Sequence, residues 1–345
     1  MLRCRVQISK KFGSEQERER VSGNEANADD EKAILRRMER LLRNLCSERE
    51  SKFQRNLRSD SKLKKGRGKA PSLLFIHKKK TGVTMKVLMI GDVVSRPGRT
   101  VLKEQLTSLI EEYQIDFTIV NGENASGGNG ITEKNARELF NLPIDVMTMG
   151  NHVWQQKEMV HYIEKFPRII RPLNYPEPCP GKGYDFFEHN GKTICVMNLS
   201  GQIFMPELDS PFNLFSRVWP EIEGKFDLLI VDFHAEATSE KIAFGYYLDG
   251  KASIVVGTHT HVQTADERIL PGGTAYITDL GMTGPLNGVI GVEKDIIINN
   301  MVTKRPERFV IEKARPWQIN GIVVETDDCT NQPVKIERVY RIYEE

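Results

Sequence analysis

Long hydrophobic runs are missing from this chain of 345 residues. No apolar stretch approaches the roughly 18 residues of a membrane span, so a membrane protein is not expected. Cysteine is sparse. Cys4, Cys46, Cys179, Cys195 and Cys329 are scattered, odd in number and without a Cys-x-x-Cys pair. That usage excludes a disulfide framework and predicts a reducing, cytosolic compartment. The first residues lack the apolar core of a secretory signal, because Lys10, Lys11 and Glu15 follow too soon. The glycine-rich segment Ser126 to Gly130 lacks the Gly-Lys-Ser/Thr of a P-loop.

Net charge is nearly balanced at +2, but the balance conceals two unlike segments. Residues 1–84 hold 23 Lys+Arg against 11 Asp+Glu, an excess of +12, whereas the remainder carries −10. The first segment has few aromatics and no broad apolar face. Only Ala33 to Cys46 offers helical spacing, through Ile34, Leu35, Met38, Leu41, Leu42 and Leu45. Such a composition buries too little surface to order itself. Residues 1–84 are therefore expected to be a poorly ordered extension, or one wrongly placed upstream of a start at Met85. The alternative is a basic nucleic-acid-binding arm.

From Met85 the rhythm becomes strand, helix, strand, helix, strand, helix. Lys86–Ile90, Phe117–Val120 and Val146–Met149 read as buried strands. Arg99–Tyr113, Thr132–Phe140 (with Thr132 as N-cap) and Glu158–Phe166 read as the helices between and after them. Right-handed crossovers and parallel pairing follow. Farther along, Tyr184–His189 and Lys192–Asn198 flank Asn190-Gly191, a type I′ hairpin signal. Phe212–Trp219 and Ser239–Leu248 read as helices. Leu228–Phe233, Ala252–Val256, Gly321–Glu325 and Val334–Tyr340 read as strands. The pattern predicts an α/β domain over 85–345, with two packed sheets and helices outside.

Five islands of metal-ligand residues follow strand-like runs: Gly91-Asp92, Gly122-Glu123-Asn124, Gly150-Asn151-His152, Phe233-His234 and Gly257-Thr258-His259-Thr260-His261. Carboxylates, carboxamides and imidazoles suit Mn, Fe or Zn. Ligands in parallel sheets gather beyond the carboxyl ends of strands, where these islands fall. Taken singly, each has a plainer explanation: Asp92 a cap, Asn151-His152 a turn, His234 a hydrogen-bonded core histidine. The ordered set of five predicts a two-metal hydrolase. On an extended segment, His259 and His261 would face one side. Ser126 to Gly130 reads as a plain turn, Asp279 as a turn or supporting residue, and His77, His161 and His189 as surface residues.

The islands resemble those of the calcineurin-like metallophosphoesterases. Val94 stands where that pattern has a histidine, and Glu123-Asn124 where it has Asp. With Asn-Gly-Glu-Asn-Ala (121–125), Gly-Asn-His-Val-Trp (150–154) and Ile-Thr-Asp-Leu-Gly-Met-Thr-Gly-Pro (277–285), the chain is similar to the YmdB-type subfamily. The resemblance implies a four-layer αββα sandwich holding two Fe or Mn ions. It assigns Asp92, Glu123 and His261 to one metal, with Asn124 nearby or ligating, and Glu123, Asn151, His234 and His259 to the other. It also implies hydrolysis of 2′,3′-cyclic nucleotides by a metal-bridging hydroxide, with His152 as proton donor. A general phosphomonoesterase or phosphoprotein phosphatase, and a regulatory binding protein retaining the metal site, are the alternatives. The expected partner is a small nucleotide, and a homo-oligomer is compatible with base rates.

Overall fold

The computed structural model describes residues 84–344. The expected extension and its short helix lie outside the described residues, except for Thr84, which opens the first strand. From there the chain forms two sheets. The first orders its strands β2(Asp92–Val93), β12(Met282–Pro285), β13(Trp317–Asp327), β1(Thr84–Ile90), β3(Phe117–Asn121), β4(Val146–Thr148) and β5(Ile169–Ile170), and β14(Pro333–Tyr343) pairs with β13. β1, β3, β4 and β5 run parallel, as the alternation of strands and helices predicts. β13 closes the other edge of β1 antiparallel.

The second sheet runs β10(Arg268–Ile269), β11(Ala275–Ile277), β9(Ile254–Thr258), β8(Leu228–His234), β7(Lys192–Ser200), β6(Tyr184–His189). Asn190 and Gly191 both take positive φ, at 51° and 79°, so the β6–β7 turn is the expected type I′.

Side-chain alternation divides the core into three seams. Leu88, Ile90 and Val120 face outward, against α1(Ser95–Tyr113), α2(Glu133–Phe140) and α3(Met159–Tyr162). Val87, Met89, Phe117, Ile119 and Val146 face inward and meet Ile194, Val196, Ile230, Ile254 and Val256 of the second sheet. On the far side, Met197, Leu229, Val231 and Phe233 pack against Phe215 and Ile222 of α4(Pro211–Ile222) and Phe244 and Leu248 of α5(Thr238–Leu248). These seams make four layers, αββα, with apolar burial of about 1.5–3 kcal/mol per large side chain holding the sheets together.

Some expected boundaries move. α1 begins at Ser95 rather than Arg99, and Ser95 takes φ 54° with its N–H bonded to the Asn124 carbonyl at 2.8 Å. The helix expected over 158–166 breaks into α3 and a 3-10 turn, Ile163–Lys165. Thr132 caps α2, its hydroxyl accepting from Asn135 N–H at 3.3 Å. His161 is exposed as expected. His189 is instead half-buried, edge-on to Phe117 with ring centres 5.8 Å apart. The Ser126–Gly130 segment is a self-bonded turn, Ser126 N–H donating to the Gly130 carbonyl at 2.9 Å. A last helix, α6(Lys294–Thr303), and the short strands β2, β5 and β10 to β12 had no counterpart in the periodicity.

Candidate metal centre

All five islands come together at the carboxyl ends of β1, β3, β4, β8 and β9. His234 is the hub. Its Nε2 lies 2.9 Å from Asn151 Oδ1, 3.3 Å from Glu123 Oε2 and 3.1 Å from His259 Nδ1. Ligand atoms of Glu123, His234 and His259 all fall within 4.8 Å of one another. Beside them, His261 Nε2 stands 3.7 Å from Asp92 Oδ2 and 3.4 Å from Asn124 Nδ2. Asp92 Oδ2 accepts the backbone N–H of His259 at 2.8 Å. Both Asp92 Oδ1 and Asn124 Oδ1 are buried without a hydrogen-bond partner. Leaving two buried acceptors unpaired is costly, and a bound cation would satisfy them. The donor set therefore fits metal ions.

The rings converge for a different reason than strand alternation. β9 ends at Thr258, and His259 and His261 take left-handed φ of 100° and 65°. Such φ values are strained for side chains with a Cβ and cluster where function demands them. Asp279 holds this bend: its Oδ2 accepts from Thr260 N–H at 3.2 Å and Thr260 Oγ1 at 2.7 Å, and pairs with the buried Lys241 Nζ at 2.5 Å.

Glycine precedes four islands because space, not φ, requires it. None of Gly91, Gly122, Gly150 and Gly257 has positive φ. A Cβ at Gly91 would strike the Gly281 carbonyl, at Gly122 the Met147 sulfur, and at Gly257 the Thr278 carbonyl. A Cβ at Gly150 would occupy the space of Glu123 Oε2 and His234 Nε2 themselves. Val94, where the resemblance would have a histidine, is buried against Gly284 and Gly291.

The sequence signature of the YmdB-like proteins matches residues 88–339. The chain belongs to the YmdB-like family. A relative from Bacillus subtilis (strain 168), named 2′,3′-cyclic-nucleotide 2′-phosphodiesterase, is 49% identical over 255 residues, which are 74% of this chain and 96% of that one. Two solved structures are also similar. One, a hypothetical protein from Thermus thermophilus, has a TM-score of 0.70 and 39% identity, covering 75% of this chain and 99% of its own. The other, described as a novel phosphatase from Mycoplasma pneumoniae, has a TM-score of 0.72 and 36% identity, covering 76% and 95%. The four-layer architecture of this YmdB-like chain is that of the metallophosphoesterases.

In this YmdB-like site the groups compete for protons. Burial pushes the Asp92 carboxyl well above its ordinary range; His234 opposes that, and Glu123 adds to it. Burial acts the same way on Glu123, yet the neighbouring His234 and His152 hold it well below the usual carboxylate range. For His234, burial disfavours the charged ring, but Glu123 and Asp92 outweigh it and lift the pKa to about 9. Burial and the neighbouring His234 push His259 down to about 3. His261 is also lowered, chiefly by burial. Such opposed shifts mark a functional site.

Several supporting residues escaped the sequence reading. Asp232, at the same face of β8 as His234, accepts Thr258 Oγ1–H at 2.7 Å. The Thr258 oxygen then accepts from His234 Nδ1 at 2.9 Å, leaving Nε2 to face the cluster. Glu236 Oε2 sits 3.0 Å from His259 Nε2 and turns Nδ1 inward in the same way. A charged residue inside the apolar run Leu228–His234 was the available signal for Asp232. Lys241, on α5, offered none.

Gly150→Ala should keep the fold and lose the site. Circular dichroism should match wild type, while bound metal after reconstitution with Mn²⁺ should fall at least tenfold; full metal content would contradict this packing account.

Proposed function

We propose that this protein is a two-metal phosphodiesterase that hydrolyses 2′,3′-cyclic nucleotides to 3′-nucleotides. The observation that carries the reading is the convergence of Glu123, Asn151, His234 and His259 beside the orphaned oxygens of Asp92 and Asn124. The named activity of the Bacillus subtilis relative supports the substrate class. Asp92, Glu123, Asn124 and His261 would hold one ion, and Glu123, Asn151, His234 and His259 the other, with Glu123 shared. Each carboxylate oxygen has two lone pairs, so Glu123 can serve an ion and His152 together. Fe or Mn suits this mixed oxygen and nitrogen set. When bound, the ions supply Lewis acidity toward the phosphate and an activated water as nucleophile.

His152 is placed to handle the proton. Its Nδ1 stands 3.1 Å from Glu123 Oε1, which fixes the ring and leaves Nε2 outward. Its side chain is 26% exposed, so a substrate can reach it. Hydrolysis adds the elements of water across P–O2′. The hydroxyl goes to phosphorus, and the imidazolium form of His152, its Nδ1–H held by Glu123, gives its Nε2 proton to the departing O2′. Neutralising the phosphate oxygens is the larger requirement in phosphoryl transfer; the proton supplied to the leaving oxygen adds to it.

His152→Ala should lower kcat on 2′,3′-cyclic AMP by about 10²–10⁴, the usual span for a general acid, with metal content unchanged. The product should be 3′-AMP. Parallel loss of metal and rate would remove His152 from the acid role, and activity on simple phosphomonoesters alone would move the substrate class to that of a general phosphatase.

Proton competition gives a second test. His234 is protonated below about 9 in the metal-free protein, and the proton must leave before Nε2 can ligate. Metal affinity should therefore climb with pH between 6 and 8, by up to about tenfold per unit, with proton release in calorimetry. His259, held to about 3, is already neutral and adds nothing to that slope. A flat affinity over this window would contradict the assignment of His234.

A further inference from the structure

Next to His261, on the face that β12, β13 and β14 turn toward the second sheet, lies a cavity of about 310 Å³. It exists because the second sheet does not extend that far. Ile322 and Val324 of β13 face the seam between the sheets, and Gln318 and Asn320, on the same face by alternation, run beyond its cover. Residues 261–263 together with Leu286, Gly288 and Ile290 wall the space thus left open. At this size it falls in the range of small-molecule sites.

Its chemistry is selective. Asn320 is only 2% exposed, and its Oδ1 is buried without a partner. Gln318 is 7% exposed, and its carboxamide makes no hydrogen bond to other described residues. Two carboxamides on one face present donors and acceptors in pairs, which matches the edge of a nucleobase. Tyr340 lies directly opposite Asn320 in the β13–β14 register and lines the same cavity. It offers an aromatic face on which a base can stack. The exposed Val262 and Ile290 give the rim apolar surface. Arg338 is paired with Glu267 at 2.8 Å, so its charge is already met. That pairing argues for a neutral heterocycle here and against a second phosphate.

We propose that this cavity is the base subsite for the nucleoside of the substrate, with Gln318 and Asn320 reading the base edge and Tyr340 stacking on it. The subsite rests on the cyclic-nucleotide reading for its place in the reaction. His261 is common to the cavity wall and to the metal cluster, so a base seated here lies within one nucleoside of the phosphate position.

Titration of adenosine into the Mn²⁺-loaded full chain tests this without turnover. Saturable binding is expected for adenosine and none for ribose. Tyr340→Ala and Gln318→Ala should each weaken adenosine binding at least fivefold; Tyr340 is half-exposed, so that variant leaves the core intact. Equal binding of ribose, no saturable adenosine binding, or unaltered affinity in both variants would overturn the subsite. The reaction is scored separately, as the ratio of kcat/KM on 2′,3′-cyclic AMP to that on bis(p-nitrophenyl) phosphate, which has no base. A fall of at least fivefold in that ratio in the two variants supports the subsite. An unchanged ratio in an active enzyme sinks the subsite and spares the reaction. Adenosine binding by a protein that hydrolyses no cyclic nucleotide sinks the reaction and spares the subsite.

Discussion

One buried carboxylate ties the site to the scaffold. Asp232 accepts Asn121 Nδ2 at 2.9 Å and Thr148 Oγ1 at 2.5 Å from the first sheet, and Thr258 Oγ1 at 2.7 Å from its own. It is therefore both a polar bolt between two apolar sheet faces and the last anchor of a relay that fixes His234. An uncompensated charge at this depth would cost several kcal/mol; burial indeed pushes this carboxyl up, and the bonds from Thr148, Thr258 and Asn121 oppose it. Because one residue does both jobs, the spacing of the sheets and the aim of the His234 ring are set together. Asn121 extends the coupling, since its Oδ1 also receives the backbone N–H of Glu123 at 3.0 Å.

Around that anchor, the site gathers groups that a folded core normally avoids. Two carboxylates and three imidazoles share one buried space, and two oxygen acceptors have no partner. Glycines at 91, 122, 150 and 257 bring the backbone close enough for this, at positions where any Cβ would collide. Left-handed backbone at His259 and His261 completes the ring of donors. Packing, strain and unmet polarity all point to one spot, the pattern expected where function overrides local preference.

Much of this was legible in the sequence. The strands that carry Asp92, Glu123, Asn151, His234 and His259 announce themselves as short β-branched runs, and the crossover rules fix their parallel order. The hairpin at Asn190-Gly191 follows from turn chemistry alone. The parts that were not legible have physical reasons. β2, β5, β10, β11 and β12 span two to four residues each, too few for a period to register. The bend at His259 to His261 violates strand geometry because Asp279, distant in sequence, holds Thr260. Lys241 sits on a helix whose pattern gives no hint of its buried partner. Contacts made by the fold, rather than by neighbours in the chain, decide these features.

We propose that seven side chains hold two ions, with Glu123 common to both. Diffraction from crystals of the Mn²⁺-loaded protein, recorded at the manganese absorption edge, addresses it most directly. Two anomalous peaks are expected, one within ligand distance of Asp92, Asn124 and His261, the other of Asn151, His234 and His259, both contacting Glu123. A single peak, or a peak pair away from Glu123, would contradict it.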